Sequence, residues 1–122
     1  MSQFKFHDLK KSFLHGDLYS RHIIVDPNNL LPTGLIDWGD VHVGDPGIDL
    51  AVGMIFTEPA YKVFLDAYGK INEITLRLSV FHAFFHTLSF LPYAYEQNKK
   101  SLIEWSQRVL ARVTKGLDSF LT

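Results

Sequence analysis

Cysteine is absent from all 122 residues, which removes a disulfide framework and thiolate metal sites and suits a reducing compartment. An excess of charge of either sign is missing too. Twelve Lys and Arg face 13 Asp and Glu, so no broad basic field draws in nucleic acid or an anionic membrane. No apolar run reads as long enough to span a bilayer, and residues 1–8 are too polar for the apolar region of a signal peptide. Linkers rich in Ser, Gly or Pro are lacking, as are repeats. These absences lead us to expect one soluble, cytoplasmic domain, 1–122, that binds neither nucleic acid nor membrane. A chain of this length supports a single core that buries about two thirds of the unfolded surface.

What is present divides into a first third of strands and turns and a helical remainder, an α+β arrangement that is mainly α. Ile23-Ile24-Val25 and Gly34-Leu35-Ile36 flank the turn formers Asp26-Pro27-Asn28-Asn29 and predict a hairpin. A loop centred near Asn29 and Leu30 sets Ile24 opposite Leu35, Ile23 opposite Ile36 and His22 opposite Asp37. The hairpin's open end then carries His22 beside Asp37, close to Asp17. Beyond Trp38 an irregular stretch with Gly39, Gly44 and Gly47 leads to Asp45-Pro46, a cap and first-turn proline for a helix from about Pro46 to Phe56. Thr57-Glu58-Pro59 starts a second helix, ending near Gly69. From Asn72, the apolar positions Ile74, Leu78, Phe81, Phe85 and Leu88 recur at steps of three and four, predicting a core-facing helix stopped before Pro92. Ser101-Leu102-Ile103-Glu104 has capping-box spacing, and Leu102, Trp105, Val109, Arg112 and Val113 predict an amphipathic last helix running toward Phe120.

Four ordered blocks carry the chemistry: Leu14-His15-Gly16-Asp17-Leu18, Ile23-Ile24-Val25-Asp26, Ile36-Asp37-Trp38-Gly39-Asp40, and Gly44-Asp45-Pro46 with Asp49-Leu50-Ala51. Together they closely resemble the aminoglycoside phosphotransferase family, which includes choline and homoserine kinase relatives. The likeness is specific from Phe13 to Ala51 and diffuse over the helices. It implies a portion of a protein-kinase-like C-terminal lobe, with catalytic loop and hairpin at 13–40 and a helical part at 45–122. It further implies ATP-dependent phosphorylation of a small molecule's hydroxyl, with Mg2+ and ATP as cofactors. Asp17 would orient and help deprotonate the acceptor hydroxyl, and Asp37 would bind magnesium. Residue chemistry agrees, since an ionised carboxylate accepts an alcohol proton and magnesium prefers hard oxygen ligands. By itself, Gly16-Asp17 reads rather as a turn aspartate bonding nearby amides; the other blocks shift the reading to function.

The same resemblance implies that His15 is a structural ring that holds the loop, as a buried hydrogen-bonded histidine also would be, and that Asp45 and Asp49 support it from beneath. His22 stands where the family carries a metal-binding Asn, and imidazole offers nitrogen in place of a carbonyl oxygen. His22 therefore contacts phosphate or metal-bound water, or alters metal preference, or marks a site without activity. Arg21 either holds a phosphate or acidic substrate or is a solvated surface residue. Trp38 is packing or a wall of the substrate site. His82 and His86 share a helical face at metal-ligand spacing but lack the glutamate of a zinc-protease motif, so a satisfied core or cavity pair is expected. Phe84, Phe85, Phe90, Tyr93 and Tyr95 are read as core before acceptor pocket.

Only sixteen residues precede Asp17, and the family's ATP-binding lobe is expected to be absent. The chain alone should then turn over ATP poorly. A homodimer or other homo-oligomer is expected to cover the surface that lobe would occupy. The alternative is a non-catalytic binding or assembly module derived from the same family.

Overall fold

The computed structural model describes residues 11–121, and side chains as far as residue 115. The polar segment 1–8 and the side chain of Phe120 lie outside what is described. Two small antiparallel sheets precede four helices. Strand β1, Ser12–Leu14, pairs with β4, His42–Gly44, so part of the stretch read as irregular is a strand. Strands β2, Ile23–Val25, and β3, Pro32–Leu35, form the expected hairpin.

The hairpin's register differs from the symmetric expectation by one residue. Ile23 faces Leu35 and Ile24 faces Gly34, with an irregularity between Ile24 and Val25 that brings Val25 opposite Pro32. The loop is closed asymmetrically: Asp26 donates its N–H to the Leu31 carbonyl and accepts from Leu30 N at its own. Asp26 and Asn29 side chains bond the amides of Asn28 and Leu31, and Leu30 takes a left-handed backbone, φ 60°. Consequently His22 lies opposite Ile36, whose N–H bonds its carbonyl at 3.0 Å, and not opposite Asp37.

The segment predicted as one helix from Pro46 to Phe56 is helical in two pieces, α1, Gly47–Leu50, and a 3-10 stretch, Ala51–Ile55. Asp45 performs its capping part, accepting from Gly47 N at 2.9 Å and from Thr75 Oγ1 at 3.0 Å. Gly47 permits the close approach this needs, since a Cβ there would sit 2.5 Å from the Thr75 carbonyl oxygen. Helix α2 spans Glu58–Tyr68 and ends at Gly69, φ 100°, as its start and stop residues predict.

Helix α3, Glu73–Glu96, begins at the Asn72 cap, whose side chain accepts from Thr75 N, and runs through Pro92 without stopping there. Proline forfeits one backbone donor, but the turn beyond it is fixed by the fully buried Ala94 and a Schellman closure. In that closure Lys99 N bonds the Ala94 carbonyl and Asn98 N bonds the Tyr95 carbonyl, with Asn98 left-handed at φ 49°. The same turn starts α4, Lys100–Leu121, so Ser101 lies inside the helix and the capping box does not form. The backbone carbonyl of Lys99 instead receives the amides of Leu102 and Ile103.

The apolar stripe on α3 faces the wrong way for the expectation. Phe81 and Phe85 are each 61 % exposed, and Leu88 is exposed as well. The buried face is made of smaller residues, Thr75, Ser79, Val80, Ala83, Thr87 and Ala94, and it packs on α4 and α1. Small side chains let two helix backbones approach, and Ser106, Val109 and Val113 complete the seam from α4. The core consists of Ala51, Met54, Val80, Ala83, Val109 and Val113, flanked by Ile55, Tyr61, Phe84 and Trp105. Phe84 thus joins the core as read, whereas Phe85, Tyr93 and Tyr95 are exposed. By length and hydropathy α3 is also sufficient to cross a membrane, which corrects the reading that no run is long enough. A helix with one face packed in a protein passes the same test.

Candidate active site

The loop after β1 is held by a carboxylate from α1. Leu14 and His15 are buried, and Asp49 accepts His15 N at 2.7 Å and Gly16 N at 3.0 Å, one through each oxygen. Gly16 turns the chain at φ 88°, where an added Cβ would lie 2.2 Å from the Asp40 carbonyl oxygen. The His15 ring completes the frame. Its Nε2–H donates to the Ile36 carbonyl at 2.8 Å, and its Nδ1 receives the Asp17 amide at 3.3 Å. Because a carbonyl can only accept, these two contacts define a neutral ring with hydrogen on Nε2.

Asp17, His22 and Asp37 converge. The 3-10 turn Ser20–His22 folds the chain back so that His22 Nδ1–H donates to the Asp17 carbonyl at 2.7 Å, while Nε2 lies 3.3 Å from Asp37 Oδ2. Asp37 holds its side chain out from a left-handed backbone, φ 62°, an unfavourable conformation for a non-glycine residue that tends to persist at functional sites. Thus the adjacency of His22 and Asp37 exists although the strand register behind that expectation does not. Asp37 reaches His22 from the strand's end, not from across a ladder.

One partner was invisible in the sequence. His86, from the middle of α3, donates Nε2–H to Asp17 Oδ1 at 3.1 Å. Tyr19 packs against His22, His86 and Phe90, at ring separations of 4.3, 5.3 and 5.1 Å. Sixty-nine residues separate His86 from Asp17, and the only hint was its pairing with His82, whose ring stacks on it at 5.7 Å. Burial lowers the His82 pKa, with neighbouring His86 adding to the effect, and burial raises that of the Tyr19 hydroxyl. Both groups are therefore uncharged near neutral pH.

The remaining candidates are spread around this centre. Asp45 bonds the start of α1 and Thr75, away from the carboxylate pair. Trp38 is half exposed, donates Nε1–H to the Leu35 carbonyl and lies 4.6 Å from the His15 ring. Arg21 is exposed and lines a groove together with Lys99 and Arg108.

Among the described residues no cluster of three or more His, Asp or Glu forms a ready-made metal cage. That is compatible with magnesium, which usually takes one or two carboxylates and completes its shell with water and substrate phosphate. Asp37, two thirds exposed, fits such a ligand. His22 does not fit a magnesium shell as well, yet its Nε2 faces Asp37 Oδ2 either as a second N–H donor or with its lone pair toward a shared cation.

Residues 3–80 match the phosphotransferase enzyme family. The chain is 40 % identical over 60 residues to the uncharacterized protein YcbJ of Bacillus subtilis (strain 168), covering 48 % of this chain and 19 % of that one. Two solved structures share its fold: the GDP complex of wild-type aminoglycoside 2'-phosphotransferase-IIIa, with TM-score 0.57, and that of a point mutant of the same enzyme, with 0.56. Each is 20 % identical and covers 88 % of this chain, which spans 38 % and 37 % of their lengths. With its kinase-like arrangement of catalytic loop, hairpin and helices, the chain belongs to the phosphotransferase enzyme family.

Proposed function

We propose that this chain supplies the acceptor-activating and metal-holding half of an ATP-dependent phosphotransferase acting on the hydroxyl of a small molecule. The observation that carries the reading is the meeting of Asp17 and Asp37 on the two nitrogens of His22. Asp17 Oδ1 is fixed by His86, which leaves Oδ2 to receive the proton of an attacking alcohol. The oxygen would then bond to the transferred phosphorus as the bond to the departing nucleotide breaks. Asp37 would hold Mg2+, whose positive charge on the phosphates is the chemistry the ion supplies when bound. His15, Asp49 and His22 keep the two carboxylates at a constant separation, and transfer of this kind depends on alignment and charge more than on covalent participation.

In this reading turnover by the chain alone is slow, because the nucleotide's phosphates are normally covered by a separate lobe. A cytoplasmic setting goes with its use of ATP. Calorimetric titration with Mg2+ and ADP tests the proposal. Binding that Asp37→Ala abolishes supports it, and absence of binding even with a matching N-terminal lobe supplied would refute it. That second result favours an assembly module, a reading supported by the exposed Phe81 and Phe85 of α3 and the exposed Leu30, Leu31 and Ile36 of the hairpin. A homodimer covering those surfaces would be detected by light scattering, and a monomer near 14 kDa at high concentration would count against it.

A further inference from the structure

Between the 3-10 turn that follows Asp17 and the first turns of α4 runs a groove of about 430 Å³, lined by Ser20, Arg21, Lys99, Ser101, Leu102, Trp105 and Arg108. Three of these residues are cationic and none is acidic. Among the described residues neither Arg21 nor Arg108 pairs with a carboxylate, although Arg77 and Arg112 each have one. Glu104, one helical turn before Arg108, forms no ion pair with it. Lys99 donates to the Tyr93 hydroxyl at 2.8 Å, also lies over that ring, and so is held in place at the groove's edge. The first turn of α4 contains no acidic residue, leaving the positive end of a long helix dipole uncompensated where Ser101 meets the groove.

The groove opens beside the reacting centre. Arg21 immediately precedes His22, and its Cα lies within about 15 Å of that of Asp17 by chain length alone. Trp105 forms the shared wall, lining both this groove and a tight cavity of about 10 Å³ bounded by Tyr19, His82 and His86. Its indole N–H is buried with no acceptor. A groove that sets Leu102 and Trp105 among three cationic side chains suits a small molecule with one charged group.

We propose that this groove binds the anionic group of the acceptor, making the substrate a hydroxyl compound that also bears a carboxylate or a phosphate monoester. The assignment rests on the phosphotransferase reading of Asp17 and Asp37 and adds to it the charge class of the acceptor. Guanidinium groups recognise both anions through paired N–H donors. A polycationic acceptor would meet three like charges in the groove and be disfavoured.

Three probes with one carbon skeleton separate the possibilities: glycerol, glycerate and glycerol 3-phosphate, titrated into the 122-residue chain by calorimetry, with Trp fluorescence as a second readout. We expect at least one of the two anions to bind ten times or more tighter than glycerol, the stronger of them naming the anion class. The exposed double change Arg21→Ala with Arg108→Ala should lower that affinity at least tenfold, leaving the melting temperature unchanged. Equal binding of all three probes, or an unchanged affinity in the double variant, would overturn the groove as an anion site while Asp37-dependent Mg2+–ADP binding kept the functional reading intact. Anion selectivity with no Mg2+–ADP binding even when a matching N-terminal lobe is supplied would instead defeat the functional reading, and the acceptor assignment with it.

Discussion

The loop that carries Asp17 and the seam between α3 and α4 are both held in place, but by opposite means. The loop is fixed chiefly by individual polar contacts: Asp49 on two amides, His15 on one amide and one carbonyl, His22 on a carbonyl. The seam has few such contacts and is fixed by small side chains fitting closely, Ala83, Thr87 and Ala94 against Ser106, Val109 and Val113. Polar fixation depends on residue identity, so substitution by a similar residue fails. Close packing depends on volume, so several residues could serve if they filled the same space.

The sharpest way to break the first region is Gly16→Ala. Its Cβ would collide with the Asp40 backbone at a positive φ, and we expect a loss of roughly 3 to 5 kcal/mol by chemical denaturation. The second region should be less sensitive and respond to size. Ala83→Leu should cost about 1–3 kcal/mol by overpacking the seam, whereas Phe85→Ser on the exposed side of the same helix should stay within about 0.5 kcal/mol. A large loss from Phe85→Ser would mean that this stripe is covered in solution and that the comparison needs a third region.

The smallest effect concerns pH and lies where the regions meet. Burial holds the His82 pKa below that of a free histidine, about 6.5, so the unfolded chain takes up its proton first as pH falls. Stability from this residue is complete above that value, declines as pH drops toward the folded pKa and then levels off. Replacing it by Gln should flatten that part of a melting-temperature profile.

The same contrast explains which features were legible in the sequence. His15, Gly16, Asp17, Asp37 and Asp49 belong to short ordered blocks, and it was the resemblance of those blocks to a family that pointed to them. His86 has its partner on another element, and no local pattern relates it to Asp17. On α3 the periodicity was real, but hydrophobicity alone cannot tell that a face of Ala, Ser and Thr packs closer than one of Phe. The helix through Pro92 and the start of α4 were missed for a related reason: a buried alanine and a left-handed asparagine outweighed the local stop and start residues. The hairpin was expected from its turn residues, while its register was decided by an irregularity that composition does not reveal.

The His15 ring acts as a spacer of constant width. One nitrogen meets the amide of Asp17 and the other the carbonyl just before Asp37, so the two carboxylate-bearing backbones are separated by the breadth of a single rigid heterocycle. Flexing of the exposed hairpin tip can then be absorbed in the strands without being transmitted to that gap. A flexible side chain of similar length could make the same two contacts, but it would let the gap breathe.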